Sequence, residues 1–320
     1  MGVRSYIQGR FTSSAPGKTI IRSSQKLYLP GFYGFSVYQV LPHFIAQLRK
    51  TNLAERASGI SFNIFMAIPP TLIFIFTLIP YLPISQEFIN QLFTLIRDIM
   101  PGEKNNSVII EFLRDFLDKP RNELLSFGLL LAILFSSNAM LGILRTFEKD
   151  YPGFNRRKML HKRRIAVQLT LIAYVLVFAC MLLLIAQSHV LKWLGVESEF
   201  WRNAINDSRW LVIVLLTFFI VSFIYRQGAP LRKKWKLLTP GAIFATFLMV
   251  IATVIFSYYV NNFSNYNKLY GSISAVFILM SLIWANSLAI LLGFELNVTL
   301  TNLQLDKLKE AALAKGEKQP

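Results

Sequence analysis

The chain has 320 residues, 54% of them hydrophobic and only 16% charged, with a mean hydropathy of +0.45 and a formal net charge of +17. A soluble domain keeps its surface hydrated with about a quarter of its residues charged. Here six apolar runs of roughly 18 to 25 residues are each long enough to cross the hydrocarbon core as a helix. Soluble enzymes, secreted disulfide scaffolds and disordered chains are thereby excluded, and the expected fold is all-α, a polytopic membrane bundle of six transmembrane helices.

In chain order, residues 1–30 read as a disordered basic tail. Residues 1–58 lack a short apolar core followed by a small-residue cleavage site, and Tyr6 stands where myristoylation requires Ser or Thr, so the mature chain is expected to begin at or near Met1. Residues 31–50 mix aromatic and apolar residues and end in Arg49-Lys50, which predicts a helix lying at the inner interface, interrupted near Pro42. The spans are expected at 59–81, 124–145, 165–188, 209–226, 240–260 and 272–296. The loop 82–123 is long for a bare connection. In it Ile84, Phe88, Leu92, Leu95 and Ile99 fall near one helical face, and Ile109, Phe112, Leu113, Phe116 and Leu117 near another before Pro120. Two amphipathic helices are expected there, resting on lipid or folding over the bundle. Thr239-Pro240-Gly241 reads as a helix start, with Thr239 as N-cap. Residues 31–303 are taken as one domain, and 304–320 as a polar tail with a short helix.

Lys and Arg fall unevenly along this plan. The segment before the first span holds eight, residues 146–164 hold seven, and Arg232, Lys233, Lys234 and Lys236 lie between the fourth and fifth spans. The three intervening loops hold eight between them. The positive-inside rule then places both termini in the cytoplasm. It also reads the net charge as topology and contact with anionic lipid headgroups at the cytoplasmic face, and not as nucleic-acid binding.

Polar and broken positions inside the spans are where function is sought. Asn63 and the Pro69-Pro70 pair lie in the first span, and the two prolines leave the carbonyls of Phe65 and Met66 without their usual donors. Asn138, Gly142 and Arg145 recur at i, i+4 and i+7 on one face of the second span. Trp284 and Glu295 share a face of the sixth. By depth, an Arg145–Glu295 pair is expected, with Glu148 as a competing partner for Arg145; such a pair either locks helices together or binds and titrates. Tyr258, Tyr259, Tyr266 and Tyr270 read chiefly as interface anchors.

The enzyme reading finds little support. Cys180 is the one cysteine, and His43, His161 and His189 are scattered without a ligand-spaced neighbour, so no metal, cofactor or catalytic residue is expected. Phosphate loops, His-x-x-x-His pairs and Gly-x-Ser-x-Gly elbows are missing from the sequence.

Several fragments resemble the YihY/BrkB family of bacterial inner-membrane proteins. They are Ala57-Ser58-Gly59-Ile60-Ser61-Phe62 leading into Ile68-Pro69, and Ser137-Asn138-Ala139-Met140 through Gly142 and Arg145-Thr146-Phe147. The C-terminal ones are Pro240-Gly241-Ala242, Tyr258, Tyr270-Gly271-Ser272, Trp284 and Leu292-Gly293-Phe294-Glu295-Leu296-Asn297. Phe294 departs from the family, which often has Ala beside the Glu. The resemblance implies a multi-pass protein of the bacterial inner (plasma) membrane, linked to serum resistance as a virulence factor and to lipopolysaccharide-precursor export. It also implies that Asn138, Arg145, Gly271, Trp284, Gly293 and Glu295 are positions of interest. The family has carried the label ribonuclease BN, which is rejected because this sequence lacks nuclease ligands. Two functions stay open: a transporter or translocator of a lipid or envelope precursor, with Pro69, Pro70, Asn138, Arg145 and Glu295 lining a polar path, or a non-transporting scaffold or envelope-assembly factor. Six spans enclose a path alone, or a homo-oligomer does.

Overall fold

Where no water can serve the backbone, a chain must satisfy its own amide and carbonyl groups, and helices do so within a single segment. The computed structural model describes residues 25, 27–78, 122–148, 151, 154–155, 157–193, 199–231, 234–262 and 273–314, and among the described residues there are seven helices and no strand. They are α1 (Val37–Lys50), α2 (Leu53–Leu78), α3 (Asn122–Phe147), α4 (Met159–Trp193), α5 (Glu199–Gly228), α6 (Pro240–Asn262) and α7 (Ile273–Ala314). Six of them, α2 to α7, are long and apolar enough to cross a membrane, and each coincides with one expected span. The amphipathic helices expected within 82–121, most of the tail 1–30, and Tyr270 and Gly271 lie outside the described residues.

Local chemistry accounts for the helix ends. Ser36 caps α1 by accepting from the Gln39 amide while the Gln39 side chain accepts from the Ser36 amide, so two orphan donors are satisfied at once. The interruption expected near Pro42 does not occur: α1 runs through it. The carbonyl that Pro42 deprives of a donor belongs to Tyr38, an exposed residue, where solvent or headgroups replace the lost bond. α2 likewise runs unbroken through Pro69 and Pro70, and the Thr71 hydroxyl adds a bond to the Ala67 carbonyl at 2.7 Å in the same turn. Thr239 caps α6 as expected, accepting from the Ala242 amide at 3.2 Å. The polar stretch from residue 304, set apart in the sequence reading, continues the sixth span without a break. α7 has 42 residues, roughly 63 Å at 1.5 Å per residue.

The helices group into two compact units. The first contains residues 1–58, 147–156 and 221–320, and so holds α1, α6, α7, the first turn of α2 and the end of α5. Phe32, Val40, Leu296 and Leu300 form a buried cluster in it, supported by Phe35, Val37, Phe44, Phe244 and Leu303, with Phe44 and Phe244 edge to face at 6.2 Å. The connector after α3 meets the connector after α5, where the Asn155 amide donates to the Pro230 carbonyl at 2.8 Å. α6 and α7 cross at Gly241 and Gly293: a Cβ on either would overlap the backbone carbonyl of the other. The second unit, residues 59–146 and 157–220, holds most of α2, α3, α4 and most of α5. Its helices also approach at small residues, with Gly142 of α3 against the Asn63 side chain and Gly128 against the Phe74 backbone.

The α6–α7 crossing sets a stability test. Gly293→Ala puts a methyl group against backbone that cannot yield, and overpacking of this kind costs about 1–3 kcal/mol. Thermal unfolding in detergent is expected to show that loss for Gly293→Ala and a much smaller change for Gly59→Ala, whose Cβ would meet nothing within 4 Å.

Candidate functional site

Glu295 lies on α7 with its side chain fully withdrawn from solvent. Three segments of the first unit supply its donors. The Arg56 guanidinium, from the first turn of α2, donates to Oε1 at 2.6 Å, and the Tyr151 hydroxyl, from the connector after α3, donates to the same oxygen at 2.8 Å. The Gln47 amide of α1 donates to Oε2 at 3.1 Å. An ionised carboxylate so buried costs several kcal/mol in lost hydration unless its charge and lone pairs are met, and this arrangement meets both. Burial, then the negative charge of Glu295 and its hydrogen bond, push the Tyr151 hydroxyl up from its ordinary value, against an opposing pull from Arg56. It therefore stays protonated and remains a donor.

The neighbouring α7 residues are as closely engaged. Phe294 stacks on Phe147 with centroids 3.8 Å apart, and Tyr225, Trp235, Phe154 and Tyr151 surround it at 5.5 to 6.4 Å. The Tyr225 hydroxyl donates to the Ile290 carbonyl at 2.6 Å. Asn297 accepts from the Gly241 amide at 2.9 Å and donates to Thr239 Oγ1 at 3.0 Å, thus binding the start of α6. Trp284 donates to Ser58 at 3.2 Å. This is a closed polar and aromatic centre.

The second unit holds a different arrangement. Asn63 and Gly142 adjoin, and Asn138 accepts a hydrogen bond from Arg163 of α4. Farther along, Ser136 and Tyr174 bond at 2.8 Å, with Thr71 of α2 within 3.5 Å of both hydroxyls. Arg163 and Tyr174, eleven residues apart, return to one face of α4 and are separated by roughly 16 Å along it. These side chains are half-buried, and Leu171 and Val175 beside them are exposed apolar residues.

The expected Arg145–Glu295 pair is not formed. Glu295 pairs with Arg56, and Arg145, at the end of α3, is exposed. Depth along a span restricts which groups can meet but not the direction in which a side chain leaves its helix. Of the other expected positions, Trp284, Gly293 and Glu295 fall in the first unit. Asn63, Pro69, Pro70, Asn138 and Gly142 fall in the second, where Asn63, Gly142 and Asn138 lie near one another and exposed Pro69 takes no part. Sequence reasoning missed Arg56, Tyr151 and Gln47 as partners of Glu295, and Arg163, Tyr174 and Thr71 in the second unit. Arg56 directly precedes the Ala57-Ser58-Gly59 string, which was the available signal. Among the described residues, no three His, Cys, Asp or Glu side chains come together as a metal-binding group.

Removing one member of a buried ion pair strands the other, at a cost of about 3–5 kcal/mol, whereas an exposed charge is worth about 0.5 kcal/mol or less. Arg56→Gln is therefore expected to unfold well below wild type in detergent, and Arg145→Gln close to it. The Tyr151 hydrogen bond has its own pH signature. Its contribution is complete below the ordinary tyrosine value of 10.0 and is lost as pH rises through the raised native value. The stability gap between wild type and Tyr151→Phe should hold steady up to about pH 10 and narrow as pH rises from there toward the raised native value in pH-scanned unfolding.

Comparison with known proteins places these residues in a family. A putative ribonuclease-like protein, YfkH of Bacillus subtilis, is 28% identical over 250 residues, covering 77% of this chain and 89% of that protein. A UPF0761 membrane protein of Tolumonas auensis is 23% identical over 257 residues, covering 78% and 82%. Another, of Xanthomonas campestris pv. campestris, reaches 34% over 106 residues, covering 33% and 22%. No solved structure matches the chain. The profile of the family described as Virulence factor BrkB matches residues 44–317, which include both the Glu295 centre and the Asn138–Arg163 row, and the chain belongs to that family.

Proposed function

We propose that this protein is a non-enzymatic translocator of a lipid or envelope precursor in the bacterial inner membrane, with both termini in the cytoplasm. One observation carries the reading: the half-buried row Asn63, Asn138–Arg163 and Ser136–Tyr174–Thr71 along α2, α3 and α4, inside otherwise apolar helices. Polar groups in hydrocarbon are costly and cluster where something polar passes. A row beside lipid-facing Leu171 and Val175 suits a molecule whose headgroup follows the polar side while its chains stay in the bilayer.

The earlier candidate path through Arg145 and Glu295 is set aside in this proposal, because Glu295 is fully engaged and inaccessible. That same closed centre favours a second reading, a scaffold whose polar residues only hold helices together.

The test is transbilayer movement of a fluorescent lipid in vesicles reconstituted with purified protein, read by quenching of the outer leaflet. Wild type is expected to accelerate movement over empty vesicles. Asn138→Leu and Tyr174→Phe, each removing hydrogen bonds worth about 1–1.5 kcal/mol to the passing headgroup, are expected to slow it about tenfold. Movement no faster than in empty vesicles, with every lipid class tried, would leave the scaffold reading in its place.

A further inference from the structure

Resting on the translocator reading of the same row, we propose that Arg163 and Asn138 form a binding site for a phosphate group. The inference starts from where the guanidinium points. Arg163 lies roughly 6 Å along α4 from Met159, while Asn138 lies roughly 13 Å along α3 from Phe147, these being the helix ends nearest their connector. An arginine so near a helix end ordinarily extends toward the interface, where water receives its charge. This one reaches the other way, deeper into the span, and donates to Asn138 Oδ1.

Its partner there is neutral. An amide oxygen accepts from one of five guanidinium donors and itself brings no negative charge to offset the guanidinium's, in surroundings that penalise an unpaired one. Among the described side chains of this unit the one carboxylate is Glu123, roughly 22 Å from Asn138 along α3. Asn138 thus works as a holder: its oxygen fixes the guanidinium plane, and its NH₂ group stands beside it as a further donor. A planar fork with an adjacent amide donor matches the oxygens of a phosphate mono- or diester, which can accept two parallel bonds and cancel the charge. A neutral glycerol or sugar hydroxyl would do neither. The phosphate is either carried on a lipid or free, and the two sources are separable by competition.

Delipidated protein in uncharged detergent is titrated with phosphatidylglycerol, diacylglycerol and inorganic phosphate, and bound lipid is counted by native mass spectrometry. Phosphatidylglycerol is expected to bind wild type and diacylglycerol not to. Arg163→Gln should weaken phosphatidylglycerol binding about tenfold or more, as expected for loss of charge-assisted bonds, and Arg163→Lys should weaken it less. Arg164→Gln, altering an exposed neighbour, should leave it unchanged. Inorganic phosphate that displaces the lipid at comparable concentration identifies free phosphate as the ligand, and its failure to do so identifies the lipid. The proposal is overturned if Arg163→Gln binds phosphatidylglycerol as wild type does, or if diacylglycerol binds equally well. Should Arg163→Gln fail to fold in lipid-free detergent, Arg163→Lys carries the test, since it keeps the charge and loses only the fork. The vesicle assay separates the two readings. Binding that requires Arg163 without any accelerated movement keeps the site and removes the translocator. Accelerated movement that Arg163→Gln leaves intact, together with intact binding, does the reverse.

Discussion

A carboxylate taken wholly out of water organises the first unit. Glu295 cannot be buried there by one partner, since a single salt bridge leaves lone pairs unmet and the desolvation cost only partly offset. It therefore needs donors from several directions, and they come from α1, from the first turn of α2 and from the connector after α3. The neighbouring residues of α7 extend the same logic. Successive side chains leave a helix about 100° apart, so Gly293 meets α6, Phe294 enters the aromatic cluster, Glu295 takes the three donors, and Asn297 returns to the start of α6. Little more than one helical turn binds five segments of chain.

Legibility in the sequence follows the range of the interaction. Hydropathy is a property of a window of residues, so all six long helices were readable, as was the Thr239 cap, which depends on a neighbour three residues on. Pro42 misled because the strength of a proline as a helix breaker depends on what else can serve the freed carbonyl, and that is set by surroundings. The site was half readable. A carboxylate in an apolar run must be paired, which identified Glu295. Choosing Arg56 over Arg145 requires knowing that two residues 239 positions apart face each other, and in the sequence Arg56 is one of eight basic residues preceding the first span. Tyr151 and Gln47 carried no signal, because neutral donors outside the spans look like ordinary loop and surface residues.

The two units use polar groups in opposite ways. Around Glu295 each oxygen has a donor and the surrounding rings exclude water; a network satisfied to that degree is rigid, and displacing any member strands the others. Along α2, α3 and α4 the groups are weak, neutral apart from Arg163, and half-buried. Ser136 and Tyr174 bond to each other, with the Thr71 hydroxyl, itself bonded to the Ala67 carbonyl, within reach of both, and neutral hydroxyls so placed exchange partners at small cost.

On the translocator reading, that gradation has a physical purpose. Passage through a membrane demands binding favourable enough for entering and weak enough for leaving. A row of several guanidinium groups would capture an anionic headgroup and hold it, and a row of apolar side chains would never accept it. One cation near the end of the row, followed by an amide and then hydroxyls, lowers the cost of leaving the interface and then releases the headgroup to progressively weaker partners. Arg163 is suited to the first step because Asn138 turns its charge inward, and Tyr174 to a later one because its hydroxyl both donates and accepts.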